Sequence, residues 1–327
     1  MTAIISALIA LALLVIGPFP VTTATGYPDR PILILVPYPP GGATDIVTRA
    51  VATEMQSLIG TPIAVENRAG RDGLLALQAL GKAAPDGYTL MVGNPTTNAV
   101  NPVLHPGQLG FDYDKGVVPI SVMSEIPNAM LVTASFPAST FQEFVDHAKR
   151  NPGRLKYGAP GVGAGEHLNG FAFAKAAGLD MVFQPHDGGA LEAVADLMAG
   201  KFDWAMINVA STAPLIRDGK LKALAVSGRL RVPDFPDVPT IDEAGYPGIF
   251  GNAWQGLFAP GGTPPEVVGM LHKAVVQAVN TEAIKDALRK RGIVIVTSES
   301  PEAFATALKA EMAVRAEAIA DAKVSVD

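Results

Sequence analysis

The chain has 327 residues, of which 49% are hydrophobic and 17% charged, with a formal charge of −6 and no cysteine. Disulfides, thiolate metal sites, a cysteine nucleophile and a cysteine-linked lipid anchor are therefore excluded. With no Lys/Arg run or basic stripe the chain does not read as a nucleic-acid binder, and its length suggests two domains.

Residues 1–26 carry no charged side chain, and the apolar run Ala3–Ile16 has the length of a secretory leader. It is short for a membrane span. Export is expected, with Ala24 and Gly26 as candidate cleavage positions, although no basic residue precedes the run; an uncleaved anchor is the alternative.

From Tyr27 onward strand and helix patterns alternate. Ile32–Val36 reads as a strand and Thr44–Leu58 as a helix. Ile63–Glu66 is a short strand, then a helix from about Gly73 to Ala83 and a strand at Thr89–Val92 follow. This is the rhythm of a mostly parallel α/β sheet. The stretch Asn94–Leu104 reads as a polar, proline-bounded loop. Strands are expected at Val117–Ser124 and Asn128–Thr133, with the second carrying the chain into a new lobe.

"TFQEFVDHAKRNPG" reads as a helix and Leu155–Gly158 as a strand. "APGVGAGEHLNGFAFAKAAGLD" then repeats the opening design of strand, Gly-rich turn and helix. "MVFQPHDGG" is strand plus loop. Helices at Ala190–Met198 and Thr212–Asp218 alternate with strands at Phe202–Ile207 and Ala223–Val226. Ala253–Ala259 returns toward the first lobe. The end is helical (Pro265–Val279, Thr281–Arg291, Pro301–Ala322), with a short strand expected at Val294–Thr297.

The candidate site residues cluster at the turns. "VPYPPGGATD" places Gly41, Gly42, Ala43, Thr44 and Asp45 at the start of a helix, beside Tyr38. Unpaired first-turn N–H groups can hold a carboxylate or phosphate there. A tight turn capped by Thr44 or Asp45 is an equal reading. Gly161 to His167 is a second Gly-rich turn, with Gly163, Ala164, Gly165 and His167 as candidates; its G-x-G-x-G spacing is a poor nucleotide fingerprint.

Thr96, Thr97 and Asn98 offer hydroxyl and amide groups, or plain loop solvation. Trp254 lies near the return crossing, and is either core or ligand platform. Asn208 closes a strand, at the edge where α/β proteins bind ligands. No histidine has metal-ligand spacing, no nucleophile elbow occurs, and no base–nucleophile pair was found. No catalytic residue, metal or cofactor is expected.

These blocks resemble one family. "YPDRPILILVPYPPGGATDIVTRAVA", "VENRAGRDG", "AAPDGYTL", "HLNGFAFAKAAG", "GGALEAVADLMAGKFDWAM", "IRDGKLKALAVSG", "VPTIDEAGYPG" and "WQGLFAPGGTP" are similar to the tripartite tricarboxylate transporter substrate receptors, or Bug extracytoplasmic solute receptors. The resemblance implies a type II periplasmic-binding-protein fold: two α/β lobes, residues 27–126 plus 250–327 and 127–249, joined by two crossings.

It further implies a monomeric periplasmic receptor that closes on a small carboxylate and delivers it to membrane permease subunits. A receptor that shows its closed form to a signalling partner is the alternative, and an enzyme on the same fold a remoter one. Carried over, the turns Tyr38–Asp45 and Gly161–His167 pinch a ligand carboxylate. Thr96–Asn98, Asn208 and Trp254 line the remainder.

Two departures bear on the ligand. Ala164-Gly165 stands where the family commonly has Ser or Thr. "QPHDGG" places His186 and Asp187 where an aromatic residue and a base are usual. An acid there disfavours a second carboxylate or pairs with an amine, so a monocarboxylate, aromatic acid or amino acid is expected over a citrate-like trianion.

Overall fold

The computed structural model describes residues 26–324 apart from 186–188, 229 and 250. The leader assignment, except Gly26, and His186 and Asp187 thus lie outside the described residues.

The first lobe is built on β1 (Ile32–Val36), β2 (Ile63–Asn67), β3 (Thr89–Gly93), β4 (Val117–Ile126) and, from late in the chain, β10 (Ala253–Pro260). Between them run α1 (Ala43–Ile59), α2 (Leu74–Gly81) and the one-turn helices α3 (Asn101–Leu104) and α4 (Tyr113–Gly116). The second lobe holds β5 (Asn128–Thr133), β6 (Lys156–Gly158), β7 (Val182–Phe183), β8 (Trp204–Asn208) and β9 (Leu221–Val226). Its helices are α5 (Phe141–Arg150), α6 (Gly165–Ala177), α7 (Gly189–Met198) and α8 (Val209–Arg217). After β10 come α9 (Pro265–Val279), α10 (Glu282–Arg289) and α11 (Pro301–Asp321).

The strand orders are β2-β1-β3-β10-β4 and β7-β6-β8-β5-β9. Each sheet joins parallel neighbours (β1 with β2 and β3; β6 with β7 and β8) to antiparallel ones (β10 with β3 and β4; β5 with β8 and β9). The sheets are therefore mixed rather than mostly parallel. The antiparallel strands are those at the crossings. The chain leaves one sheet at the end of β4, passes Pro127 and enters the other at β5. It returns ahead of β10.

Strand residues alternate between faces. On β1, Ile32 and Ile34 enter a core shared with Val47, Val51 and Met55 of α1 and Leu271 and Val275 of α9. Leu33 and Leu35 point the other way, toward Leu77 and Leu80 of α2 and Phe304 and Leu308 of α11. The second sheet is covered likewise, by Phe144 and Phe173 on one face and Ala193 and Leu197 on the other. The i, i+4 spacing of Val47, Val51 and Met55 gives α1 its buried stripe. Gly60 at φ 71° ends that helix.

The C-terminal helix touches both lobes. Ile319 packs with Val100 and with Leu168 of α6, and Lys175 of α6 pairs with Asp321 at 2.7 Å. Two expectations are corrected. The segment after β3 is helical, with a π-helical turn at Thr96–Val100 running into α3, because Asn94 and Thr97 tie its start. Val294–Thr297 is no strand; Val294 makes a single bridge to Glu125.

Candidate ligand-binding cleft

A cavity of about 70 Å³ lies between the lobes. Tyr38, Pro39, Gly42, Ala43, Thr44, Asp72, Asn94, Thr96, Ile126, Ala253 and Gln255 line it from the first lobe. Pro160, Ala164, Glu166, Gly189, Ala190, Leu191 and Asn208 line it from the second. The turns after β1, β6, β7 and β8 all open here, at the carboxyl ends of their strands.

The first turn is held by Asp45. Its Oδ2 accepts from the Gly41 N–H at 2.9 Å, and its Oδ1 accepts from Arg49 Nε and Asn67 Nδ2, each at 2.9 Å. Burial raises this carboxyl, but the bonds from Arg49, Gly41 and Asn67 outweigh it and hold it below the usual range. Asp45 thus turns away from the cavity and fixes Gly41 at φ 87°, a conformation that suits glycine. Neither Thr44 nor Asp45 caps the helix. Gly42 occupies the cap position, and among the described residues no side-chain cap bonds this helix start. The positive end of α1 meets the cavity through Gly42, Ala43 and Thr44.

The second turn differs. Ala164 stands at the cap of α6 with no cap bond of its own, but the Gly165 N–H donates to Thr96 Oγ1 across the lobes at 3.4 Å. His167 is not in the cavity lining. Its Nδ1 accepts from the Gly163 N–H at 2.9 Å, and its ring stacks on Phe183 at 3.6 Å between centroids. Burial pushes its pKa down to about 4, so the ring is neutral at pH 7 and serves to hold the turn.

Of the residues singled out from sequence, Tyr38, Gly42, Ala43, Thr44, Thr96, Ala164 and Asn208 line the cavity. Tyr38 Oη donates to Asn94 Oδ1 at 3.2 Å. Asn208 caps α8 through Ser211 N–H at 2.9 Å. Gly41, Asp45, Gly163 and His167 stand behind the turns as supports, and Gly165 faces a smaller adjoining cavity with Arg315.

Thr97 folds back, its Oγ1 accepting from Asn94 N–H at 2.8 Å. Asn98 is buried against Tyr113, to whose Oη its Nδ2 donates. Trp254 points into an aromatic cluster with Phe258 and Phe304, and its Nε1 donates to Glu311 Oε2 at 2.7 Å. Its neighbour Gln255 faces the cavity instead, because adjacent strand residues project to opposite sides.

Sequence reasoning did not select Asp72, Asn94, Glu166 or Gln255. Asn94 ends β3, so the strand-end rule that found Asn208 would have found it as well. Asp72 sits between Gly70 and Gly73 at φ 50°, in the left-handed region that Asp tolerates. Its carboxylate lies against Gly161 of the other lobe: a Cβ there would fall 2.4 Å from Asp72 Oδ1. Burial raises the Glu166 carboxyl, partly offset by its own backbone N–H and by Arg315. Among the described residues no group of acids and histidines could hold a metal ion, and no helix is long and apolar enough to cross a membrane.

Residues 47–322 match the tripartite tricarboxylate transporter family receptor profile. The chain belongs to that family. BugT of Bordetella pertussis is 31% identical over 86% of this chain and 87% of that protein. The structure of R. palustris Rpa4515 with adipate superposes with a TM-score of 0.84 at 29% identity, covering 91% of this chain and 99% of that one. MatC of the same organism, with bound malate, gives 0.79 at 31% identity over 90% and 100%. The two-lobe architecture of tripartite tricarboxylate transporter receptors is thus that of this chain.

Proposed function

We propose that this solute receptor works in the periplasm and captures a small carboxylate between its lobes for delivery to membrane permease subunits of a tripartite tricarboxylate-type transporter. The observation that carries the reading is the uncapped start of α1 at an interlobe cavity that the first turn of α6 also borders. Helix N-termini with unpaired N–H groups attract anions. Charge-assisted bonds of this kind contribute roughly 1.5–3 kcal/mol each, offset by closure and desolvation.

The adipate and malate bound in related structures are carboxylates of the same kind. In this reading residues 27–126 plus 250–327 and 127–249 move as two bodies about Pro127 and the stretch before β10, and residues 1–26 direct export. The protein acts as a monomeric carrier and turns nothing over. Mixing it with a carboxylate that it binds should give one bound molecule per chain and no product. Product formation, or no binding by any carboxylate, overturns the reading.

A further inference from the structure

The interlobe cavity has a buried floor and an exposed rim. Thr96, Ala164, Asn208 and Gln255 are buried where they border it. Among the described lining residues two are exposed, Pro39 of the first lobe and Leu191 of the second, and they mark the opening.

Leu191 stands in the first turn of α7. Ala193, Val194 and Leu197 anchor that helix in the second-lobe core, and their spacing leaves Leu191 beside the buried stripe rather than in it. It is 45% exposed, an apolar side chain held out at the rim by an anchored helix. Across the opening it meets the first Gly-rich turn: its Cδ1 lies 3.9 Å from where a Cβ at Gly41 would be, which is van der Waals range. That turn is fixed in its own right. Asp45 accepts the Gly41 N–H at 2.9 Å, and Gly41 holds φ 87°. Leu191 therefore touches a rigid partner on the other lobe.

We propose that Leu191 is a specificity-determining residue: it stands over the first Gly-rich turn and sets the longest carboxylate on which the lobes can close. The inference rests on the carboxylate-receptor reading and deepens it. A carboxylate at the start of α1 leaves its carbon chain in a cavity of about 70 Å³. Pockets for drug-sized ligands run from roughly 300 to 1,000 Å³. A chain that outgrows the cavity reaches the rim and meets Leu191. Pushing that side chain off Gly41 pushes α7 with it, because close-packed interiors transmit strain rather than absorb it. The lobes are then wedged apart. Trimming Leu191 makes room at the rim and removes no group that could bond the carboxylate.

The test is isothermal titration of wild type, Leu191→Ala and Leu191→Trp with two series of probes, the straight-chain monocarboxylates from acetate to octanoate and the straight-chain dicarboxylates from malonate to suberate. In the series that binds, wild type should favour one length and lose about tenfold or more once the chain outgrows it, the discrimination a pocket makes over a methylene. Leu191→Ala should move the favoured length up by roughly two or three carbons, the bulk removed, and bind those longer acids about tenfold or more above wild type. Leu191→Trp should move it down. Both variants should keep the wild-type melting temperature, since the side chain is half-exposed. An unchanged favoured length in Leu191→Ala overturns the assignment and leaves the carboxylate receptor standing. So does a uniform loss of affinity at every length, which would make Leu191 a closure contact and nothing more. Wild type that binds all lengths alike overturns it without either variant. Absence of binding by both series overturns the carboxylate reading as well.

Discussion

Acid should weaken this protein through His167. Its ring lies between Phe183 and the second Gly-rich turn, with Nδ1 accepting the Gly163 N–H. Protonation puts a charge where burial disfavours it and removes the acceptor. The folded pKa is about 4 against an ordinary 6.5. The unfolded chain therefore takes up the proton first, and the neutral ring's contribution is full above pH 6.5. It is lost as pH falls from 6.5 toward 4, and constant below that. The whole shift corresponds to about 3 kcal/mol, of which about 2 kcal/mol is lost between pH 7 and pH 5. Urea unfolding at the two pH values, on wild type and His167→Gln, isolates the effect, because the carboxylates titrate in both proteins. Wild type should lose about 2 kcal/mol more than the variant. Equal losses would mean that His167 is not the buried neutral support described.

Other substitutions probe closure and the division between cleft and core. Gly161→Ala places a Cβ 2.4 Å from Asp72 Oδ1 and 2.5 Å from its Oδ2, a clash that exists only when the lobes meet. At about 1–3 kcal/mol for overpacking it should shift the population toward an open form, seen as a larger radius of gyration in solution scattering. Asp72→Ala in the same chain should reverse it, and unchanged scattering would deny the contact. Trp254→Phe removes the Nε1 bond to Glu311 and should cost about 1–3 kcal/mol in urea unfolding. The ranking of carboxylates by affinity should stay the same; a changed ranking at full stability would place Trp254 in the cleft after all.

Much of the fold was legible because each strand and helix carries its own period. The strand Asn128–Thr133 and the helix Pro265–Val279 stand as read, residue for residue. The failures were long-range. Thr96–Leu104 looked like a loop because its helical turns are anchored by Asn94 rather than by an apolar stripe. Val294 makes only one bridge because no further strand reaches it. At the site, the Gly-rich turns declared themselves through composition. Which face each residue takes did not: Trp254 drew notice as an aromatic, yet the cleft belongs to Gln255 one position on. Asp72 approaches Gly161 across nearly ninety positions of chain, and no local pattern carries that meeting.

The central claim is capture of a carboxylate at the start of α1, and thermal shift tests it directly. Gly42 has room for a Cβ, whose nearest neighbour would be Pro39 O at 3.8 Å, and its φ is an ordinary −74°. Gly42→Leu should therefore fold, with its side chain filling the cleft. The measurement compares wild type and Gly42→Leu across mono-, di- and tricarboxylates, aromatic acids and amino acids. A bound ligand raises the melting temperature by mass action. At least one carboxylate should stabilise wild type and leave Gly42→Leu unmoved. Equal shifts in both proteins, or none in wild type, would contradict binding at this turn.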